Sequence, residues 1–595
     1  MRSESLNTEW AGIQFVTAYV KLVSGHHQDA VIKKMNELLV RYGSDDMKAL
    51  GFTKKLGLQP ISDIYLKSDV QQRARIKYLY IVISIAVFIL TIACINFMNL
   101  STARATHRAA EFGVRKVMGA QRGAIIQQIL DEALIHTLIA IFLSVSLLQL
   151  ILPLFNAFVG KEITMGNDNI VFTTGALTSI AVVTSLMAGS YPAFYFSRFQ
   201  SVQVLKSKLS LGNASGWLRQ SLVVFQFMIA IVLVCGMIIM SRQLKYLREK
   251  DLGFNAEAKI ILPLRTASAN AGYKTLQKLF RGHLSITDVS AAEYIPGTMI
   301  IRDMPFYLQG GGMEKSVAHK RNRVDYNFQK LLDIKLIAGR RFSDNSAAEQ
   351  NKVILNRASA DALGLDIESA VGQKLHSEFQ GKKAEYEIIG VMENYHQTSL
   401  RDAILPTLFE MPPMESQYSF LIASVITRDF EETVDVMEKT WKQLVNDAPF
   451  EYSFLDERIR HQYDGDRKIS SIIMIFTIIA MLISCLGLYG LSTYMAERRV
   501  KEIGVRKVLG ATVQQIVSMM SREFIKLIIV AFIIAVPLAW YAMDQWLQGF
   551  AFKTSIDVRV FLYAGACALI IALLTVSFES IRAARANPVD SLKSE

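Results

Sequence analysis

A ten-residue segment that occurs twice carries the residues best spaced for binding chemistry. Residues 111–120 read EFGVRKVMGA and residues 502–511 read EIGVRKVLGA, with eight of the ten positions identical. In each copy a Glu precedes an Arg by four residues, which is the favourable order for an ion pair on one helix face. A short basic segment of this kind suits docking to a partner better than it suits catalysis, which needs converging acid, base or nucleophilic groups.

Both segments are predicted to be short amphipathic helices. The apolar residues of each copy fall on one face, and a Gly ends each helix. In the second copy Thr512 and Gln515 form a capping box that starts the next helix. The predicted docking residues are Glu111, Gly113, Arg115, Lys116, Gly119, Glu502, Gly504, Arg506, Lys507 and Gly510.

Two other interpretations of these basic segments compete with protein docking. A juxtamembrane loop that only fixes topology would require charge, but it would not require the same glycines and valines in the same order. A lipid-binding helix is the weaker alternative, because a Glu and a small apolar face suit a protein groove better. The pattern therefore favours docking of a soluble partner.

The remaining residues capable of chemistry are isolated. His26 and His27 are adjacent, and His396 has no second ligand at a plausible spacing, so we expect surface histidines and no metal site. Glu385 and Glu387 share one face of a strand and are expected to be solvated. Residues 372–383 contain glycines and lysines, but their spacing is wrong for a phosphate-binding loop. The sequence predicts no enzyme activity and no cofactor.

The chain is too apolar for a typical soluble protein. Of its 595 residues, 51% are hydrophobic, the mean hydropathy is +0.27 and the net charge is +12. The basic residues cluster beside apolar stretches, which argues for membrane topology and against nucleic-acid binding. All four cysteines lie in these stretches and act as small hydrophobic residues. Seven stretches can cross a bilayer, roughly 78–100, 125–153, 169–193, 219–241, 468–495, 524–547 and 560–580.

Basic residues predict the orientation of the spans. The loops 101–123, 194–218 and 496–523 and the C-terminal tail are rich in Lys and Arg and are expected in the cytoplasm, whereas the alternate short loops are poor in them. Glu132 and Glu523 correspond at the cytoplasmic starts of two spans, where a helix N-terminus would stabilise a carboxylate; a coupling role is the alternative. An aromatic belt at the outer interface is predicted for Trp540, Trp546, Phe550 and Phe552.

The repeat predicts a duplicated organisation. We expect five regions. They are part of a first outer domain (1–77), a group of three spans (78–208), a single span (209–241), a second outer domain (242–467) and a second group of three spans (468–595). Alternating strands at 259–264, 352–355 and 386–392 and an amphipathic helix at 429–445 make the second outer domain α+β. Residues 15–40 repeat the strand-then-helix pattern of 420–445. Compared with the second half, the first half is expected to lack a span and most of an outer domain.

These motifs in combination resemble the MacB/FtsX-like ABC-transporter permeases, in a duplicated single-chain form. The resemblance covers nearly the whole chain and is carried by the two repeated segments together with YPAFYFSRFQSVQVLKSK (191–208), WLRQSLVVFQF (217–227), NKVILNRASADALGL (351–365), YEIIGVMENYH (386–396), DQWLQGFAF (544–552) and RAARANPVDSLKSE (582–595). It implies a helical membrane bundle with a MacB-like periplasmic core domain in the bacterial inner membrane.

The resemblance also implies a function. The repeated segments would be coupling helices seated on separate cytoplasmic ATPase subunits, whose ATP-driven closure moves the outer domains for export or mechanotransmission. The expected partners are those ATPases, membrane lipid, and a periplasmic adaptor or cargo protein. The alternatives are a membrane scaffold or sensor of an ATPase complex without transport, and a secondary transporter. The last would need ionisable groups near the bilayer midplane, and the spans offer none that convinces.

Overall fold

The structure is a computed structural model of the chain. The described residues are 18–23, 27–49, 53–67, 76–103, 111, 114–164, 170–197, 213–379, 382–412, 418–426 and 430–585.

The described elements alternate between long helices and a region of mixed helices and strands. In chain order the helices are α1 (Gln28–Ala49), α2 (Ile61–Lys67), α3 (Ile76–Ala103), α4 (Arg122–Val159), α5 (Ile170–Ser197), α6 (Asn213–Glu249), α7 (Ala267–Ala271), α8 (Tyr273–Arg281), α9 (Phe328–Leu331), α10 (Arg357–Ala362), α11 (Ile367–Ala370), α12 (Phe430–Leu444), α13 (Leu455–His461), α14 (Asp464–Arg498), α15 (Val500–Val508), α16 (Val513–Leu547) and α17 (Val558–Arg585). The strands are β1 (Lys259–Pro263), β2 (Ile286–Ala292), β3 (Asp303–Leu308), β4 (Val317–Arg323), β5 (Leu336–Gly339), β6 (Lys352–Asn356), β7 (Lys374–Phe379), β8 (Lys382–Met392), β9 (Thr407–Glu410), β10 (Phe420–Val425) and β11 (Ser453–Phe454).

The chain divides into two compact units. The outer unit comprises Met1–Ala74, Leu247–Gly465 and Phe550–Phe552, and the membrane unit comprises Arg75–Tyr246, Asp466–Gly549 and Lys553–Glu595. Seven helices in the described residues are long and apolar enough to cross a membrane, as the sequence predicts. They are α3, α4, α5, α6, α14, α16 and α17.

Helix α6 lies at the centre of the largest apolar core of the membrane unit. Its residues Val223, Phe227 and Ile231 recur every four positions, so they fall on one helix face, and all three are buried. That face packs against α14, α16 and α17. Small residues on two of these helices allow close backbone approach, namely Ala531, Ala535, Ala539, Ala564, Ala568 and Ala572.

The outer unit contains a four-stranded antiparallel sheet covered by helices. Its strand order is β11-β1-β10-β2. Helices α8 and α12 are amphipathic and bury Leu276, Phe280, Met437 and Trp441 against one sheet face. The helix predicted at 429–445 is therefore confirmed, with its apolar stripe in the core. The other face packs Ile261 and Ile422 into a second cluster that includes residues from the larger sheet.

The larger sheet has seven strands in the order β5-β8-β6-β9-β4-β3-β7. It closes on itself, because β7 pairs with β3 on one side and with β8 on the other. Apolar side chains such as Phe306, Val353 and Leu408 form a buried cluster between these strands. The predicted strands and the α+β class are confirmed. The segment 372–383 supplies β7 and the start of β8, which is a strand pairing and not a phosphate-binding loop.

The N-terminal region contributes α1, which matches the helical half of the predicted 15–40 repeat. Residues 18–23 form no strand, and residues 15–17 lie outside the described part of the chain. The amide of Asn36 in α1 binds the backbone of Leu56, with Nδ2 donating to the carbonyl at 2.8 Å and Oδ1 accepting from the amide at 2.9 Å. This side chain holds the segment after α1 against the helix.

Candidate docking surface

The second repeated segment forms α15, a two-turn helix that joins α14 to α16. Ile503 points inward and is buried in a small core with Ala496, Ile516, Met520 and Ala584. Three residues point the other way and are exposed: Val505 by 49%, Val508 by 66% and Leu509 by 80%. One face of α15 therefore fixes the helix to the membrane unit, and the other presents an apolar surface.

The first repeated segment presents the same surface. Residues 114–117 are helical, and Val114, Val117 and Met118 are exposed by 53%, 61% and 82%. We call these two sets of three residues the apolar triads. Because corresponding positions in the two halves have nearly the same exposure, the outward surface is a shared property of both copies. Exposed apolar groups gathered at a corresponding place in each half are typical of a binding surface.

Ion pairs and glycines shape both segments as predicted. Arg115 binds Glu111 at 2.8 Å, and Arg506 binds Glu502 at 2.9 Å. Gly119 and Gly510 have φ angles of 95° and 93°, which a residue with a side chain rarely adopts, and they end the helices there. The capping box of Thr512 and Gln515 is also present at the start of α16.

The two copies are anchored by different contacts. The Lys116 ammonium donates to the carbonyl oxygen of Ser197 at 2.7 Å, and Arg122 donates to its hydroxyl at 3.2 Å, so the first copy is tied to the end of α5. Burial of Lys116, together with the positive charge of Arg122, lowers the pKa of this lysine. The second copy is held by apolar packing and by an Arg499–Glu523 ion pair at 2.7 Å.

The proposed role of helix N-termini for Glu132 and Glu523 is wrong. Helices α4 and α16 begin at Arg122 and Val513, about three turns before these carboxylates. The influence of a helix N-terminus falls off within the first turn. Glu523 is instead neutralised by Arg499, and Glu132 accepts a hydrogen bond from Gln128 at 3.3 Å.

Part of the predicted site falls beyond the description. Gly113 lies outside the described residues. Gly504 is buried within α15, and Lys507 is half-buried. The remaining predicted residues lie on or beside the outward surface of the two segments.

Two predictions about the outer unit need correction. His396 is buried rather than on the surface, because its ring packs edge-on against Phe552 with centroids 4.6 Å apart. Burial, with the nearby Lys250 charge, lowers the pKa of His396 to about 4. Phe550 and Phe552 belong to the outer unit, where Phe550 is buried beneath the Arg401 guanidinium, so they do not form an interfacial belt. Glu385 is solvated as predicted, and it pairs with Lys374 at 2.7 Å.

Hydropathy missed a group of buried amides inside the membrane unit. Asn96, Asn99 and Gln226 are buried within spans that the sequence represents as nearly continuous apolar runs. Asn96 Nδ2 donates to the carbonyl of Ile483 on α14, and a side chain at Gly487 would collide with the same amide. The only sequence signal for this contact is a polar residue in one span and a Gly in another, distant span that could receive it. These groups are neutral, so they add no ionisable relay of the kind that a secondary transporter needs.

The architecture is that of a multi-pass membrane protein with an α+β domain outside its spans. The family model "FtsX-like permease C-terminal" matches residues 83–201 and again residues 474–588, once in each half. The model "MacB-like periplasmic core domain" matches residues 223–438. The chain belongs to the MacB/FtsX-like ABC-transporter permeases, and the resemblance inferred from the motifs is confirmed.

Individual relatives match parts of the chain. The uncharacterized ABC transporter permease YknZ of Bacillus subtilis (strain 168) is 24% identical over 291 residues, which cover 46% of this chain and 70% of that protein. The macrolide export ATP-binding/permease protein MacB of Burkholderia cenocepacia (strain HI2424) is 31% identical over 124 residues, covering 20% of this chain. The chain spans 17% of the length of that MacB and 26% of the length of the probable export ATP-binding/permease protein Pfl01_2215 of Pseudomonas fluorescens (strain Pf0-1), to which it is 30% identical over 190 residues.

Among solved structures, the periplasmic region of MacB from Actinobacillus actinomycetemcomitans matches the chain. The match has 12% identity and a TM-score of 0.26, and it covers 36% of this chain and 97% of that structure.

Proposed function

We propose that the chain is the membrane subunit of an ABC transporter and that the two repeated segments dock separate cytoplasmic ATPase subunits. The observation that carries this proposal is the pair of apolar triads, which have matching exposure in the two halves. A generic loop that only fixes topology needs positive charge and has no use for three outward apolar side chains. The partner surface would have an apolar floor to receive the triad and an acidic rim to face Arg115 or Arg506.

The anchoring of the segments suits transmission of force. Helix α15 contacts the ends of α14, α16 and α17 through the Ile503 core, and Lys116 ties the first segment to α5. A partner that moves the triads would therefore move the ends of spans and not a loose loop. ATP binding and hydrolysis take place on the partner, and the output is movement of the outer unit.

The orientation follows from the same proposal. Docking requires both repeated segments and the C-terminus in the cytoplasm, with the outer unit in the periplasm. The cargo would then be handled by the outer unit, as export or as mechanotransmission to a periplasmic adaptor or cell-wall partner. The neutral character of the amides buried in the spans supports this over ion-coupled transport.

The docking proposal is tested by changing the two triads together. Met118→Asp with Leu509→Asp places a charge on each exposed apolar face, and it should remove the ABC ATPase from the purified complex and abolish ATP hydrolysis by that complex. Both positions are at least 80% exposed, so membrane insertion and thermal stability should stay within about 0.5 kcal/mol of the wild type. Arg115→Glu with Arg506→Glu should have the same effect on ATPase recovery.

The matched controls keep the charge or move the change away from the triads. Arg115→Lys with Arg506→Lys should retain most of the bound ATPase, and so should Gln514→Asp, an exposed position one turn beyond the second segment. The orientation is checked separately with Leu284→Cys and Gln514→Cys, of which only the first should react with a membrane-impermeant thiol reagent in spheroplasts. Full ATPase recovery in both triad and arginine variants would contradict the docking proposal.

A further inference from the structure

The internal repeat relates helix α3 to helix α14 residue by residue. The first residues of the two repeated segments, 111 and 502, are 391 positions apart. The same offset aligns LST at 100–102 with LST at 491–493, and it aligns Cys94 with Cys485. Because the offset holds without a gap from these helices to the repeated segments, each residue in this part of α3 has a defined counterpart in α14.

The two related helices also pack against each other within the membrane unit. The hydroxyl of Tyr78, the third residue of α3, donates to Asp466, the third residue of α14, at 3.0 Å. Farther along, the Asn96 amide donates to the carbonyl of Ile483. These partners are 388 and 387 positions apart, so the helices run parallel and nearly in register. Related residues that lie this close together are typical of positions near a two-fold axis between two similar halves.

Asn96 and its counterpart Gly487 fit together because they are unlike. Asn96 is buried, and its amide lies directly over Gly487, where a β-carbon would overlap the amide oxygen. One turn farther, the Leu100 side chain fills the space that a β-carbon on Gly490 would need. The counterpart of Gly490 is Asn99, which is also buried. Side chains of α3 therefore occupy the room that glycines leave on α14.

Two identical helices could not form this contact. If two copies of α3 paired in the same register, each Asn96 amide would overlap the β-carbon of the other Asn96. If two copies of α14 paired, no side chain would fill the space over Gly487. Overlap strains a packed interface, and an unfilled space forfeits the contacts of the atoms around it. The residues at these two positions therefore distinguish unlike helices from like ones.

We infer that the Asn96–Gly487 pair specifies which halves pair in the membrane: α14 receives α3 of the same chain, and like helices of two copies are rejected. The chain's own α3 is the occupant, because a tethered helix has a high effective concentration beside its partner. This inference concerns the pairing of the two halves and is independent of the docking proposal. A helix α3 supplied by a second copy is the competing occupant.

The occupant is tested by cross-linking across the contact between Tyr78 and Asp466 in isolated membranes. A chain with Tyr78→Cys and Asp466→Cys, treated with a short polar bismaleimide, should form a cross-link within one chain. Co-expressed chains that carry one of the two cysteines each should give no adduct of twice the chain mass. The native cysteines lie inside the spans, away from this polar reagent. A mixed adduct that forms as fast as the internal cross-link would overturn the inference.

The specificity is tested by exchanging the two residues in the full chain. Gly487→Asn alone places an amide at both positions and should lower the melting temperature by about 2–4 °C, the shift expected for one overpacked contact. Adding Asn96→Gly restores an unlike pair and should recover most of that loss. Gly175→Ala, at a glycine with open space beside it, is the matched control and should melt like the wild type.

A smaller pair of substitutions covers the case in which Gly487→Asn does not fold. Gly487→Ala should also lower the melting temperature, and adding Asn96→Ala should reverse the loss because it removes the amide that the new methyl group meets. Recovery in either double variant supports the matched pair. Effects that simply add in both double variants, or a Gly487→Ala chain that melts like the wild type, would overturn the inference.

Discussion

Charged side chains serve different purposes in the outer unit and in the repeated segments. In the outer unit Arg321 and Glu410 are nearly buried and bind each other at 2.5 Å, and Arg323 approaches the same carboxylate at 3.4 Å. In the repeated segments the Arg–Glu pairs are about half exposed, and exposed apolar residues surround them. Removal of one partner from a buried pair is costly because it leaves the other charge buried without compensation, whereas exposed pairs contribute little stability and remain free to exchange partners. The location of the charge, and not its amount, separates structural sites from a binding surface here.

The largest predicted effect on stability comes from the buried pair of the outer unit. Glu410→Ala leaves the Arg321 guanidinium buried without its carboxylate, which should cost about 3–5 kcal/mol. Because β4 and β9 are parallel neighbours with Arg323 opposite Glu410, the loss should appear as faster amide hydrogen exchange in both strands. If the amides of β4 and β9 exchanged at wild-type rates in the Glu410→Ala variant, these charges would not be structural. Lys320→Ala, on the same strand with a solvated Asp303 partner, is the matched control and should have little effect.

A smaller effect is predicted for Asp325, which is buried and accepts hydrogen bonds from Gln277, Ser290 and the Asn327 amide. Burial raises the pKa of its carboxyl to about 6. The folded state therefore binds this proton more tightly than the unfolded state, whose pKa is about 3.9. Stability from this group should be greatest below about pH 4 and should be lost as the pH rises to about 6, by about 3 kcal/mol in total.

The opposite sign is predicted for His396 in the same unit. Its pKa is lowered to about 4, so the unfolded state takes up the proton first and stability is lost as the pH falls from about 6.5. The two groups offset each other in the wild type. In Asp325→Asn the outer unit should therefore lose stability relative to the wild type as the pH falls from 6 to 4. Hydrogen exchange at a series of pH values, corrected for intrinsic rates, measures this difference in stability. Parallel pH profiles for the variant and the wild type would contradict the prediction.

The smallest effect is predicted for the exposed ion pairs of the repeated segments. Glu111→Ala with Glu502→Ala removes one i,i+4 pair from each, which should change stability by about 0.2–0.5 kcal/mol per pair. Thermal melting of the full chain should barely shift, and the shift should vanish at high salt because screening weakens exposed pairs. Ile503→Ala sharpens the contrast, since this buried residue beneath α15 should cost about 2–5 kcal/mol. A glutamate pair that proved as costly as Ile503 would place the segments among structural elements.

The sequence by itself determined the features that depend on neighbouring residues along the chain. Seven spans follow from summed hydropathy, and helix α15 follows from the Glu–Arg spacing and the terminal Gly510. The exposed triads were predicted as one helix face for the same reason. Periodicity and capping are local, so they can be recognised without knowledge of what packs against the helix.

Only the tertiary structure decided which polar groups are buried and what they contact. Arg321 and Glu410 lie 89 residues apart in the chain. His396 contacts Phe552, which lies in the loop between the spans α16 and α17. No local pattern predicts either pair. Asn96 stands out in the sequence only as a polar residue in a span, until α14 is brought against it at Gly487. Burial depends on which distant surfaces fold together, and hydropathy along the chain does not contain that information.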